Sequence, residues 1–143
     1  MPNEQEDLRG YEKSYPVEVE FGKEEGDNGG DSISLDNDFV LVGIRWQIIQ
    51  DGNTPNAPLQ DGNFRLGWSI QRTTKFYKGP DLMAFSFGSP TFGIWQPLNV
   101  PIKIGVNRTL EVELTNTVTR TDKAVIQVIF VGVEPDPKAP DMF

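Results

Sequence analysis

The sequence has 143 residues, no cysteine, no histidine and a formal net charge of −8 at pH 7. That length fits one domain able to bury roughly two thirds of its unfolded surface, enough for a core without covalent staples. Disulfides, thiolate chemistry and Cys-ligated zinc or iron–sulfur clusters are excluded. So are the Ser-His-Asp constellation and histidine-held metals.

From the N-terminus, residues 1–14 are polar and charged, with no apolar run of the kind a secretory signal needs, so export by that route is not expected. Val17, Val19 and Phe21 alternate with Glu18 and Glu20 and predict a short first strand. Gly22, Gly26, Gly29 and Gly30 among acids predict a flexible loop over 22–31, followed by a short strand at Ile33 and Leu35. Residues 39–49 give the clearest strand, with Val40, Val42, Ile44, Trp46 and Ile48 expected on one face. Asp51-Gly52-Asn53 and Asp61-Gly62-Asn63 are turns. Between the second turn and Gln71, Phe64, Leu66, Trp68 and Ile70 alternate with polar residues or glycine.

Phe85 and Phe87 suggest a strand, as do Phe92, Ile94 and Trp95. Leu98, Val100, Ile102 and Ile104 form another, where Pro101 calls for a sheet edge or a bulge. Leu110, Val112 and Leu114 alternate with Glu111 and Glu113, and residues 124–133 are almost wholly apolar. Pro135, Pro137 and Pro140 predict an extended tail. No window keeps a helical period. The expected fold is all-β: an antiparallel β-sandwich of jelly-roll type with extended N- and C-terminal arms. The boundaries read as an acidic arm with one or two short strands over 1–38, a sandwich core over 39–134 and a proline-rich tail over 135–143. The expected core comprises Val40, Val42, Ile44, Trp46, Phe64, Leu66, Trp68, Leu110, Val112, Leu114, Ile126, Val128 and Phe130.

Charge is unevenly placed. Residues 1–38 hold 12 acidic and 3 basic side chains, whereas residues 39–133 hold 6 acidic and 9 basic. An acidic arm on a mildly basic body points to interaction between chains. Interface candidates are therefore Tyr11, Tyr15 and Phe143 as apolar anchors and Arg65, Arg72, Lys75 and Lys78 as a basic run free of acids.

Several motifs admit chemistry. Asp27, Asp31, Asp36 and Asp38 offer oxygen ligands for calcium, although their spacing is not that of an EF-hand and turn chemistry explains the same letters. Glu111 and Glu113 share one strand face, which suits a solvated surface better than a glycosidase cleft. Arg65 to Lys78, interleaved with Phe64, Trp68, Phe76 and Tyr77, has the composition of a single-strand nucleic-acid site, but the acidic whole chain disfavours that ligand. Trp46, Trp68 and Trp95 with Phe85, Phe87 and Phe92 could stack on sugars, which makes a carbohydrate-binding module the alternative reading. Asn107-Arg108-Thr109 reads as a turn rather than a glycosylation acceptor. Neither catalysis nor a cofactor is expected, and no stretch reaches the ~20 apolar residues that span a bilayer.

Residues 97–116 (PLNVPIKIGVNRTLEVELTN), the apolar stretch from Ala124 ending in Val131-Gly132-Val133-Glu134, and the upstream Phe39-Val40-Leu41 strand together carry a resemblance. The pattern resembles the closing half of small β-sandwich virion accessory proteins of tailed bacteriophages. The resemblance covers roughly residues 39–134. It implies a structural role as a capsid decoration or cement protein located in the virion and made in the host cytoplasm. It also implies major capsid protein or other virion proteins as partners, a homo-oligomer, with a trimer as one arrangement, and no catalytic residues.

Overall fold

The computed structural model describes residues 11–53, 58–71, 76–78, 82–87 and 96–134. Nine strands lie in these segments: β1 (Tyr11–Phe21), β2 (Asn28–Ser34), β3 (Phe39–Gln50), β4 (Phe64–Gln71), β5 (Phe76–Lys78), β6 (Leu82–Met83), β7 (Gln96–Ile104), β8 (Thr109–Asn116) and β9 (Ala124–Glu134). Among the described residues the only helical elements are two 3-10 turns, Leu59–Asp61 and Ala84–Phe87.

The topology is that of a chain folded back on itself and then rolled. β1 pairs antiparallel with β9 from Tyr11↔Glu134 to Phe21↔Ala124. β2 pairs with β8 and β3 with β7. Rolling brings β3 against β9 and β4 against β8. The outcome is one sheet in the order β1-β9-β3-β7 and a second in the order β2-β8-β4-β5, with β6 added beside β4. This is the strand order of a jelly roll, and it supports the expected antiparallel β-sandwich. Pro101 lies in β7, an edge strand, where a missing N–H costs no ladder bond.

Period-two alternation puts one face of each sheet inside. Tyr15, Val17, Val19 and Phe21 of β1 face Leu110, Val112 and Leu114 of β8 and Phe64, Leu66, Trp68 and Ile70 of β4 in one continuous core. Edge-to-face ring pairs hold its centre: Trp46 with Phe64 and Tyr15 with Phe39, each at 5.0 Å between centroids. Gly52 and Gly62 adopt φ of 80° and 76°, the left-handed region their turns require.

Four expectations are corrected. First, β3 changes face midway. Phe39 and Leu41 point inward, and Val40 and Val42 are only half-buried. A bulge between Leu41 and Gly43 then restores inward positions for Ile44 and Trp46. A bulge inserts one extra residue, so a continuous alternation in sequence spans two opposite phases in space.

Second, Ala84–Phe87 is a 3-10 turn, not a strand. Trp46 Nε1 donates to the Ala84 carbonyl at 3.0 Å and draws that segment onto the core.

Third, residue 38 is no boundary. β1 and β2 complete the two sheets, and four of β1's side chains are core. At roughly 2 kcal/mol per buried side chain, they contribute about 8 kcal/mol of apolar burial.

Fourth, the 22–31 segment is held rather than loose. Residues 28–31 belong to β2, and the turn before it is bonded to β8.

Candidate binding face

The outer face of the β2-β8-β4 sheet carries the most distinctive arrangement of polar side chains. Register places Asn28, Thr115 and Arg65 in one cross-strand row. Below it run Gly30–Glu113–Gly67, Ser32–Glu111–Ser69 and Ser34–Thr109–Gln71. Every outward position in these rows is polar, charged or glycine. The reason lies in the sequence of β8: Leu110, Val112 and Leu114 turn inward, so Glu111 and Glu113 must turn outward.

Glycines beside Glu113 and serines beside Glu111 leave space around both carboxylates. A depression of about 470 Å³ opens there, and the described residues that line it include Asp31, Glu111 and Glu113 and no basic residue. Ser69 Oγ donates to Glu111 Oε2 at 3.4 Å. Acidic and shallow, this surface suits a cationic or polyhydroxylated group. Glu111 and Glu113, read from sequence as a solvated strand face, are accordingly outward, and the depression between them was not foreseen. The signal present in the sequence was a glycine and a serine at alternate positions of β4, Gly67 and Ser69, but only register shows that they flank the glutamates.

A second polar cluster is structural. Asn116 is buried and its Nδ2 lies within 3.2 Å of the carbonyls of Gly22, Lys23 and Glu24. Its Oδ1 accepts from Arg120 Nε at 2.9 Å. Arg120, also buried, donates through a terminal nitrogen to the Asn63 carbonyl at 2.8 Å and lies over the Phe21 ring. Burial lowers the Arg120 pKa, while Asp51 opposes that shift. Three loops are thereby tied together at one end of the sandwich.

The opposite end of β1 carries a third. Tyr15 OH lies 2.9 Å from Asp36 Oδ1, to which it donates, and 3.3 Å from Glu134 Oε1. Burial first, then these carboxylates, push the Tyr15 pKa up, and the hydrogen bond from Tyr15 pulls the Asp36 carboxyl down. Lys13 lies 3.9 Å from Glu134. Tyr15, expected as an exposed anchor, is 5% exposed and belongs to the core. It is in phase with Val17, Val19 and Phe21, which the sequence already displays.

The remaining candidates fall as follows. Arg65 is exposed on the outer face of β4. Tyr11 starts β1 opposite Glu134, and Lys78 pairs with Ser69. Arg72, Lys75, Trp95 and Phe143 lie outside the described residues. Trp46 and Trp68, each 3% exposed, are core side chains and not sugar platforms. Phe85 is 59% exposed, whereas Phe87 is buried.

The four aspartates do not converge. Asp27 accepts from the Glu24 N–H, Asp31 from Ser32, Asp36 from Tyr15 and Asp38 from Val106. Among the described residues no group of three or more carboxylates is placed to hold a metal ion. Asn107 adopts φ of 66° in the β7–β8 turn. No helix among the described residues is long and apolar enough to cross a membrane.

No family model and no curated protein matches this chain. Among solved structures, dimeric latent PorU from Porphyromonas gingivalis aligns at 12% sequence identity and a TM-score of 0.34. That alignment covers 88% of this chain and 13% of the PorU chain, so the chain spans only a small part of that protein's length. Likeness this loose carries no argument.

Proposed function

We propose that the chain is a non-catalytic structural component of a tailed-bacteriophage virion, a decoration or cement protein that docks on neighbouring capsid subunits as a homo-oligomer. The observation that supports this reading best is the strand order. Jelly rolls build viral capsid domains as well as lectins and cupins, and the segments that carried the virion resemblance are β7, β8, β9 and the start of β3. Fold alone does not assign function. A further support is that Tyr11 pairs with Glu134, so the chain enters β1 and leaves β9 at one end of the sandwich. Terminal segments attached there suit a common docking end.

The carbohydrate-binding alternative loses weight, because two of the three tryptophans it needs point into the core. The deciding experiment is quantitative mass spectrometry of intact, gradient-purified phage particles encoding the chain. Tens of copies per particle are expected for a decoration protein. Absence from the particles overturns the reading.

A further inference from the structure

We propose that β2 pairs edge to edge with β2 of a second copy of this chain, antiparallel and about a two-fold axis at Ser32. The proposal deepens the homo-oligomer part of the reading above and rests on no other part of it.

The first support is a comparison of sheet edges. An unpaired edge strand is a template for another strand, and native sheets blunt it with proline, charge or short length. β1 carries Pro16 together with Glu12, Glu18 and Glu20. β7 carries Pro97 and Pro101. β5 and β6 are three and two residues long. β2 runs for seven residues with no proline and a single charge, Asp31. Among the described residues no strand lies beyond it.

The second is the direction of its backbone groups. At the two ends of the β2–β8 ladder, the Asn116 N–H donates to the Asp27 carbonyl at 2.8 Å and the Leu35 N–H to the Arg108 carbonyl at 2.9 Å. Successive residues of a strand bond alternately to one side and the other. Gly29, Asp31 and Ile33 therefore bond to β8, and Asn28, Gly30, Ser32 and Ser34 turn N–H and C=O away from it. All four are exposed. β1 does not close this edge: a Cβ on Gly29 would strike the Glu20 carbonyl, which places β1 behind the inner face of β2.

The third is register. An axis at Asp31 would set that carboxylate directly against its own counterpart, which is unfavourable. An axis at Gly30 avoids this but pairs glycines, which bring no side chain to pack. An axis at Ser32 pairs Ser32 with Ser32, Gly30 with Ser34 and Asp31 with Ile33. In that register the strand complements itself, which selects a second copy as its occupant. The two Glu111 side chains then stand three strand spacings apart, about 14 Å, beyond the Debye length of about 10 Å at 0.1 M salt. In the single chain the Ser32 N–H donates to Asp31 Oδ1 at 2.7 Å. Asp31 is thus a gate, since pairing must draw that amide away from it.

Ser32→Cys puts one thiol into a chain that has no cysteine. Facing Cα atoms of a hydrogen-bonded pair lie about 5.5 Å apart, within the span of a disulfide. Mild oxidation should therefore yield a covalent dimer. Ser34→Cys, held about 14 Å from its counterpart by the same register, should stay monomeric. Sedimentation velocity of the unaltered chain should show a monomer–dimer equilibrium. Asp31→Ala should tighten it about tenfold, and Ser32→Pro, which removes an N–H that β8 does not use, should abolish it. Should the proline variant fail to fold by circular dichroism, the two cysteine variants decide. An unaltered chain that stays monomeric at the highest concentration its solubility allows overturns the proposal. So does equal crosslinking of the two cysteine variants, or an Asp31→Ala dimer weaker than that of the unaltered chain. A chain that dimerises through β2 yet is missing from particles would sink the virion reading and leave this contact intact. A monomeric chain found on particles would do the reverse.

Discussion

Two buried polar side chains concentrate structural consequence. Asn116 serves three carbonyls with one amide while accepting from Arg120. Asn116→Ala strands those groups and should cost about 3 kcal/mol, read as a lowered urea midpoint at unchanged m-value. Tyr15→Phe keeps the ring against Phe39 and removes only the hydroxyl, so a loss of about 1 kcal/mol is expected. The same variant carries a pH signature. The folded pKa of Asp36 is lowered, so its contribution is present above the ordinary carboxylate value and is lost as pH falls through the lowered folded one. Thermal melts taken down through that acid range should show the wild type losing more stability than Tyr15→Phe. Equal slopes would show that the bond to Asp36 does not persist in solution.

At the scale of elements, the bulge in β3 sorts its apolar residues into two classes that alternation alone merges. Leu41→Ala should cost about 3 kcal/mol through a core cavity, whereas Val42→Thr on the half-buried side should stay within about 1 kcal/mol. Comparable losses from the two in chemical denaturation would place the bulge elsewhere. β9 adds a steric constraint. A Cβ on Gly132 would sit 2.1 Å from the Val40 carbonyl oxygen and 2.5 Å from the Phe39 ring. Gly132→Ala must therefore spread β3 from β9 or displace a core ring, and a fall in melting temperature of more than about 5 °C is expected. β1 belongs to the same sheet. Removing residues 1–10 spares every β1–β9 pair, but removing 1–14 deletes the pairs from Tyr11 through Ser14 and should measurably lower the melting temperature. Removing 1–21 bares the hydrogen-bonding edge of β9 and takes four side chains out of the core, and should yield insoluble protein.

For the whole molecule, the closing contact joins the two ends of the described chain. β1 meets β9 across more than a hundred residues of sequence, and β2 meets β8 almost as distantly. Such topology folds slowly, on the order of milliseconds to seconds, because loop-closure entropy is lost before distant pairs form. Stopped-flow refolding should place the main phase in that window, and a microsecond phase accounting for full amplitude would contradict it. The solvent-facing consequence of the roll is the acidic depression, which exists only once β2 and β4 flank β8.

What the sequence by itself determined was whatever depends on neighbours along the chain. Alternation located β1, β3, β4 and β8, an almost unbroken apolar run located β9, the Asp-Gly-Asn segments marked turns, and Pro101 marked an edge. The missing cysteine and histidine closed off whole branches of chemistry. Tyr15 was legible too, since it continues the phase of Val17, Val19 and Phe21. Only the tertiary structure decided the rest. The phase change at Leu41 and Gly43 is set by the partners of β3, and a bulge leaves no mark in the alternation itself. The membership of β1 and β2 in the sheets was hidden because their acids dominate the composition, although outward carboxylates on a strand cost the core nothing. The depression around Glu111 and Glu113 depends on which residues of two other strands stand beside them. Cross-strand register is fixed by the packing of opposite faces, a relation among residues far apart in sequence.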